Sequence, residues 1–154
     1  IGFDIFWAFD DVAFNSGPMF SPRFFRETVL PVQKRVADAL ELPLICHSDG
    51  DMGPILDDWL EIGQVGIHPL QPDVMDIEDV KARHGDRVCL VGNIFMDDLV
   101  HAEAGDIRAQ VADRIDKIGA GGGYIISSSN SLTADMKDEN IRVMAETIRS
   151  AGVY

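Results

Sequence analysis

Residues 43–50 join a short apolar run to a polar turn and read Pro43-Leu44-Ile45-Cys46-His47-Ser48-Asp49-Gly50. A brief and nearly unbroken apolar run is typical of a β-strand that is buried on both faces. The same pattern of apolar run and polar stop occurs over residues 3–9, 64–67, 87–91 and 124–126. We therefore predict five strands of a parallel β-sheet.

Amphipathic segments with helical spacing lie between these runs. Ser21 and Pro22 are suited to cap and to begin the first helix, and Pro31 inside it predicts a kink. Further helices are predicted over residues 54–62, over residues 76–84, from Asp106 to the glycines at 121–123, and over residues 141–151. A glycine follows each of these segments, and glycine commonly ends helices.

Alternation of strands and helices predicts an α/β fold with right-handed crossovers, in a single domain that spans residues 1–154. The pattern leaves two architectures open. One is an open, doubly wound sheet, and the other is the larger part of an eight-stranded (β/α) barrel of TIM type that lacks its first strands. In either case the strand interiors should be almost fully buried, which concerns Ile45, Cys46, Leu90, Val91, Ile125 and Ile126.

The composition restricts the classes of partner. The 13 Lys and Arg residues against 26 Asp and Glu residues give a net charge of −13, which argues against nucleic acid and against an anionic membrane surface as partners. Cys46 and Cys89 lie inside apolar runs, so we expect core thiols and a reducing, cytoplasmic location. The chain begins with Ile1 and shows no signal peptide, and we expect it to be a processed or truncated piece.

Polar side chains follow every predicted strand. They are Asp10, Asp11, His47, Asp49, His68, Asn93 and the segment 127–130. Turn chemistry alone can account for any one of them. Because the carboxyl ends of parallel strands form one rim, where ligands bind in both architectures, their coincidence at five ends favours a functional site. His47 and Asp49 are two residues apart on an extended chain, so they point the same way and could chelate one ion if a third ligand joined them.

Several of these segments, in this order and spacing, resemble the uroporphyrinogen decarboxylase superfamily. They are Asp10-Asp11-Val12-Ala13, Gly17, Ser21-Pro22, His47-Ser48-Asp49-Gly50, Gly92-Asn93-Ile94, the segment 121–127, and Glu139-Asn140. The resemblance implies that the chain is the C-terminal part of an eight-stranded (β/α) barrel, with its fourth to eighth strands present.

The superfamily has two main branches, and the resemblance bears on both. Its corrinoid-linked methyltransferases often hold zinc through a His-x-Cys motif and a later Cys. This sequence has His47 at that His, with Asp49 and Asn130 where the thiolates would stand. The decarboxylases carry a Gly-His-Gly-like element where this chain has Ser129-Asn130-Ser131, and their arginine-rich substrate clamp lies in the N-terminal part.

The resemblance therefore favours an enzyme of the corrinoid-linked methyltransferase type. The alternatives are uroporphyrinogen decarboxylase itself and an inactive half-barrel that acts by association. We expect His47, Asp49 and Asn130 to be catalytic, and His47 and Asp49 to be the metal ligands. We expect the substrate to contact Asp10, Asp11, His68, Asn93 and Ser129. Expected partners are a small-molecule substrate or a corrinoid protein, with a corrinoid as methyl donor or acceptor, and either a second copy or the missing N-terminal part. No tightly bound cofactor is expected.

Weak or absent zinc is the first prediction. Thiolates retain zinc well and amides hold it poorly, so protein purified without added metal should contain little zinc. Elemental analysis of the purified protein checks this, with His47→Ala as the comparison. Stoichiometric zinc that disappears in His47→Ala would contradict the prediction.

Overall fold

A sheet of five parallel strands forms the centre of the computed structural model, which describes residues 2–152. In spatial order the strands are β1 (Phe6–Phe9), β4 (Leu44–His47), β5 (Gly66–His68), β6 (Cys89–Ile94) and β7 (Tyr124–Ser128). A short antiparallel hairpin, β2 (Ala13–Phe14) and β3 (Gly17–Pro18), follows β1.

The order of the strands decides between the two architectures. Each strand of the sheet pairs in parallel with the next one along the chain, without any reversal of order. A doubly wound sheet requires such a reversal at its switch point, whereas a barrel adds its strands consecutively. The predicted α/β fold, an incomplete barrel of TIM type, is confirmed.

Helices fill the connections between the strands. They are α1 (Pro22–Phe24), α2 (Leu30–Ala39), α3 (Leu56–Trp59), α4 (Ile77–His84), α5 (Met96–His101), α6 (Ala104–Gly119) and α7 (Asp138–Ala151). A π-helical turn, Phe25–Val29, joins α1 to α2, and this irregularity stands where Pro31 predicted a kink. 3₁₀ turns flank α3. Within the part of the chain that the structure describes, none of the helices is long and apolar enough to cross a membrane.

The predicted element boundaries agree with the structure in part. The hydroxyl of Ser21 caps α1, as predicted. The carboxylate of Asp76 caps α4, a role that was not predicted. The predicted start of the fourth helix at Asp106 is wrong, because α6 begins at Ala104. Asp106 lies in its first turn, where a carboxylate interacts favourably with the helix dipole. The first strand begins at residue 6 rather than 3, and neither α5 nor the hairpin was predicted.

The register of the sheet separates two faces. One row across the sheet consists of Ala8, Cys46, Ile67, Leu90 and Tyr124. These side chains belong to the main apolar core or pack against it, together with residues of the helices. Because side chains alternate along a strand, neighbours of this row, such as His47 and Val91, point to the opposite, inner face of the incomplete barrel.

The predicted burial of the strand interiors is confirmed for the central strands and wrong for the last one. Ile45, Cys46, Leu90 and Val91 are buried. Ile125, however, is 48% exposed although it pairs in register with Val91, and Ile126 is only half-buried. Since β7 is the edge of the sheet, these side chains have a neighbouring strand on one side only.

Replacement of Leu90 by alanine should destabilise the protein strongly. Leu90 is fully buried, so Leu90→Ala should lower the free energy of unfolding by about 2–5 kcal/mol through the lost transfer energy and the cavity. Ile125→Ala on the neighbouring strand is the matched control, and it should cost less than about 1 kcal/mol because Ile125 is half-exposed. Denaturant unfolding measures both. Equal losses in the two variants would contradict the assignment of β6 as a central strand.

The first strand leaves a large apolar surface uncovered. Phe6 is 44% exposed, Trp7 39% and Phe9 69%, and β1 is the other edge of the sheet. Edge strands with apolar side chains tend to pair with another strand or another molecule unless they are covered. This surface is continuous with the inner face of the incomplete barrel, so a covering element would contact both.

We expect the 154-residue polypeptide on its own to associate through residues 3–9. Sedimentation equilibrium at micromolar concentration should show a species larger than the monomer. Phe9→Glu should shift the equilibrium toward monomer, whereas Phe24→Glu on α1, at another exposed aromatic position, should not. A monomer whose unfolding is cooperative and independent of concentration would contradict this expectation.

Candidate functional site

Two histidines lie side by side at the carboxyl ends of neighbouring strands. His47 ends β4 and His68 ends β5, and the two residues pair in register. Phe9, at the end of β1, is the register partner of His47 on the other side, with ring centroids 5.1 Å apart. Trp7 meets the His68 ring edge-on at 5.2 Å. The sheet register itself therefore brings these four rings together on the inner face.

The two imidazoles are directly hydrogen-bonded. His47 Nδ1 lies 2.6 Å from His68 Nδ1, and His68 Nε2 lies 3.3 Å from the carbonyl oxygen of Ser128. Both histidines are buried. Burial, followed by the charge of His47, lowers the pKa of His68 to about 4, so His68 is neutral at neutral pH.

Two carboxylates face the other nitrogen of His47. Asp11 Oδ1 and Asp49 Oδ2 each lie 3.6 Å from His47 Nε2. The backbone N–H of Asp49 donates to Asp11 Oδ1 at 2.9 Å, and Asn130 Nδ2 donates to Asp49 Oδ2 at 2.7 Å. Residues that follow β1, β4 and β7 thus meet at one point of the rim.

The backbone of the loop after β4 is held tightly in place. Ser48 N–H donates to the carbonyl of His68 at 3.0 Å, and Ser48 Oγ accepts from Val12 N–H at 3.1 Å. Gly50 has φ +90°, and a side chain there would lie 2.7 Å from the Ala13 backbone. The glycine therefore lets the hairpin approach the loop that carries His47 and Asp49.

The geometry of Asp11, His47 and Asp49 fits a divalent metal ion. Their donor atoms lie within 4.8 Å of one another. Two ligands of a tetrahedral ion at about 2.1 Å are roughly 3.4 Å apart, which is close to the observed His47–carboxylate separations. Burial is the largest influence on the pKa of Asp49 and raises it. The neighbouring His47 lowers this pKa and the charge of Asp11 raises it, so that the pKa of Asp49 lies above its ordinary value. A cation between the carboxylates would offset both the burial and the repulsion.

A cavity of about 220 Å³ opens in front of the paired histidines. It is lined by Trp7, Phe9, His47, His68, Ser127, Ser128, Asn130 and Ser131. Trp7 and Phe9 were not predicted as site residues. Alternation along the strand could have identified them, because positions 7, 9 and 11 share one face and Asp11 was already a candidate.

The remaining predicted site residues lie elsewhere. Asp10 faces the groove between β1 and α2, where Gln33 Nε2 donates to its carboxylate at 3.5 Å. Asn93 is buried, donates to the carbonyl of Leu70 at 2.8 Å, and lines a separate cavity. Ser129 is buried, and its N–H donates to the carbonyl of Ile94. The structure therefore groups Asp11, His47, Asp49, His68 and Asn130, and leaves Asp10, Asn93 and Ser129 outside this cluster.

Comparison with known proteins identifies the family. The sequence model of the family described as "Uroporphyrinogen decarboxylase (URO-D)" matches residues 2–151. The chain belongs to the uroporphyrinogen decarboxylase family. A protein named uroporphyrinogen decarboxylase from Pseudoalteromonas translucida is 30% identical over 140 residues, which cover 86% of this chain and 38% of the relative. One of the same name from Hydrogenovibrio crunogenus is 29% identical over 132 residues, which cover 80% of this chain and 36% of the relative.

A solved structure of a methyltransferase from Methanosarcina mazei has the same fold. It superposes with a TM-score of 0.82 at 20% sequence identity, and the match covers 99% of this chain and 43% of the methyltransferase. Together with the family match, this fold confirms the predicted resemblance to the uroporphyrinogen decarboxylase superfamily. The chain spans less than half the length of the proteins that it matches.

In this uroporphyrinogen decarboxylase family member, stability should decrease in acid partly through His68. Its pKa is 6.5 unfolded and about 4 folded, so the unfolded chain binds more protons between these values. The free energy of unfolding should therefore fall as the pH drops through this window, by up to about 3 kcal/mol. Denaturant unfolding from neutral pH to pH 4 should show a shallower fall in His68→Asn than in the wild type. Parallel profiles would contradict this prediction.

Proposed function

We propose that this chain is the metal-binding part of a methyltransferase of the corrinoid-linked type. The observation that supports the proposal is the cluster of His47 Nε2 with the carboxylates of Asp11 and Asp49, each 3.6 Å away. The alternative, an inactive half-barrel that acts only by association with another chain, gives no reason for two carboxylates and a buried imidazole to meet at one point of the barrel rim. Catalytic sites of this fold lie at that rim.

The donor set defines the kind of metal site. One imidazole and two carboxylates are harder ligands than thiolates, so they favour exchangeable divalent ions and hold zinc less firmly. If these three residues held a divalent ion, a further coordination position would be free for a methyl acceptor, as in catalytic rather than structural sites. A divalent ion bound here would act as a Lewis acid that lowers the pKa of a coordinated acceptor.

The residues of the chain would position the acceptor and the metal. Asn130 holds Asp49 through its amide, and the backbone of Asp49 holds Asp11, so neither carboxylate turns freely. Trp7 and Phe9 form an apolar wall of the cavity beside His47, and that wall would exclude water from the acceptor. The proposed methyl donor, a corrinoid on a partner protein, would approach from the open side of this cavity.

Uroporphyrinogen decarboxylase activity is the second candidate, and the names of the relatives support it. The charges at the site do not favour it. Asp11 and Asp49 would repel the carboxylates of a porphyrinogen, and the net charge of −13 would add to this at long range. Arg23 and Arg26 bind Glu27 and Asp58 on the helical side, away from the cluster.

Titration with Mn²⁺ tests the metal site directly on the chain. Isothermal calorimetry should show one site, and Asp11→Asn and Asp49→Asn should each weaken binding at least about 10-fold. Asp116→Asn is the matched control, because Asp116 is an exposed aspartate on α6, outside the cluster. Equal affinities in the control and in the cluster variants would exclude the site.

Assays of the protein that carries this chain separate the two activities. With a thiol acceptor, the wild-type protein should demethylate methylcobalamin, which is seen as loss of the methylcobalamin spectrum. In His47→Ala the spectrum should stay unchanged. Release of CO₂ from uroporphyrinogen without any demethylation of methylcobalamin would overturn the proposal in favour of the decarboxylase.

A further inference from the structure

We propose that a cavity beside Asp49 holds the tail of the methyl acceptor, and that it selects an uncharged tail with a hydroxyl-like end. The tail is the part of the acceptor that does not react. Naming the ligand a methyl acceptor rests on the proposed function. The cavity and its preference for uncharged ligands rest only on the residues that line it.

The Asp49 cavity has a volume of about 200 Å³ and lies at the rim of the incomplete barrel. Its lining residues follow the ends of β4, β5, β6 and β7, and they are Asp49, Gln71, Phe95, Met96, Ser129 and Asn130. Barrel enzymes bind their substrates at this rim. The volume is smaller than the roughly 300–1,000 Å³ of sites for drug-sized ligands, so the cavity suits a short chain rather than a macrocycle.

The metal-ligand cluster adjoins two cavities. Asp49 belongs to the cluster and lines the Asp49 cavity, whereas His47 lines the cavity in front of the paired histidines. Asn130 lines both cavities, and its amide donates to Asp49 Oδ2 at 2.7 Å. Methyl transfer needs a donor and an acceptor at one point. With the donor in front of the histidines, the Asp49 cavity is available for the tail of the acceptor.

The hydroxyl of Ser129 is the polar anchor that this cavity offers. Ser129 is only 4% exposed, and its backbone N–H donates to the carbonyl of Ile94 at 2.8 Å. Its hydroxyl has no hydrogen-bond partner among residues 2–152. A buried polar group without a partner is costly and therefore uncommon. A ligand with a hydroxyl-like end would supply the missing hydrogen bond.

The two amide side chains of the lining are already engaged. Gln71 Oε1 accepts from the backbone N–H of Gly50 at 2.8 Å, and Gln71 Nε2 donates to two further side chains. Asn130 donates to Asp49, and its Oδ1 accepts from the backbone N–H of the next residue at 2.7 Å. These amides are therefore fixed walls of the cavity, and they do not compete with the serine hydroxyl for a ligand.

The charges around the cavity favour an uncharged tail. Within the described part of the chain, no lysine or arginine lines the Asp49 cavity. An anionic tail would lose its hydration there without gaining a counterion, and the net charge of −13 would repel it at long range. A cationic tail would pair with Asp49 and compete with the metal. Phe95 and Met96 provide apolar contacts for a hydrocarbon chain, and the thioether adapts to its shape.

A series of three-carbon thiols tests the preference on the wild-type chain. NMR titration is followed at the methyl group of Met96 and at the backbone amide of Asn130, with the methyl group of Met19 on the hairpin as the reference. The compound 3-mercaptopropan-1-ol should bind best. Propane-1-thiol, which lacks the hydroxyl, should bind about 2–10-fold more weakly, and 3-mercaptopropionate at least about 10-fold more weakly. Equal or tighter binding of the anionic thiol would overturn the proposal, as would an unchanged Met96 signal.

Two substitutions examine the anchor and the charge. Ser129→Ala should remove the advantage of 3-mercaptopropan-1-ol over propane-1-thiol, whereas Ser16→Ala, at an exposed serine of the hairpin, should preserve it. Met96→Lys places a cation at the cavity, so 3-mercaptopropionate should bind at least about 10-fold more tightly than to the wild type. Met19→Lys, with the same charge change on the hairpin, should not have this effect. Cluster variants and their controls with identical preferences would contradict the assignment.

Demethylation of methylcobalamin by the protein that carries this chain separates the subsite from the proposed function. If 3-mercaptopropan-1-ol binds as expected but no thiol is methylated, the proposed function fails and the subsite stands as a site for small uncharged ligands. If thiols are methylated and the anionic thiol has the lowest KM, the subsite assignment fails and the proposed function stands.

Discussion

Register between three parallel strands determines the geometry of the site. Phe9, His47 and His68 occupy one row across β1, β4 and β5. A slip of one residue would turn His47 to the helical side, where Cys46 now lies, and would place a thiol in front of Asp11. The apolar residues that fix this register, such as Ile67 and Leu90, therefore contribute to the site without touching it.

The cluster combines two buried histidines with carboxylates and an amide that reach solvent, and its polar groups are paired with one another. Asp11 accepts a backbone N–H, Asp49 accepts the amide of Asn130, and His68 donates to a carbonyl. Hydrogen bonds of this kind reduce the cost of removing polar groups from water. The repulsion between Asp11 and Asp49 remains, and only a cation or a proton can neutralise it. A cation at the cluster would therefore stabilise the rim as well as serve the chemistry.

The strands and the pair His47 and Asp49 could be predicted from the sequence, because short apolar runs and the polar residues that end them are local features. The barrel itself followed only from the resemblance to the family. Both Asp10 and Asp11 were predicted to contact the substrate, and only Asp11 lies in the cluster. Alternation along the strand favours Asp11, because positions 9 and 11 lie on the same face. Asn93 donates to the carbonyl of Leu70, a residue distant in the sequence, so no local pattern could place it. The exposure of Ile125 depends on a neighbouring strand, which is a non-local property.

Part of the uncovered apolar surface belongs to the candidate functional site. Trp7 and Phe9 line the cavity in front of His47, and they are also the exposed aromatic residues of the edge strand β1. On the other side of the cavity, Ser127 and Ser128 belong to the second edge strand, β7. Any element that pairs with either edge must therefore narrow the cavity and exclude water from it. Closed surroundings strengthen electrostatic interactions, because the effective dielectric constant falls. Covering the sheet edges and strengthening the electrostatic interactions within the cluster are thus linked by the geometry of the sheet.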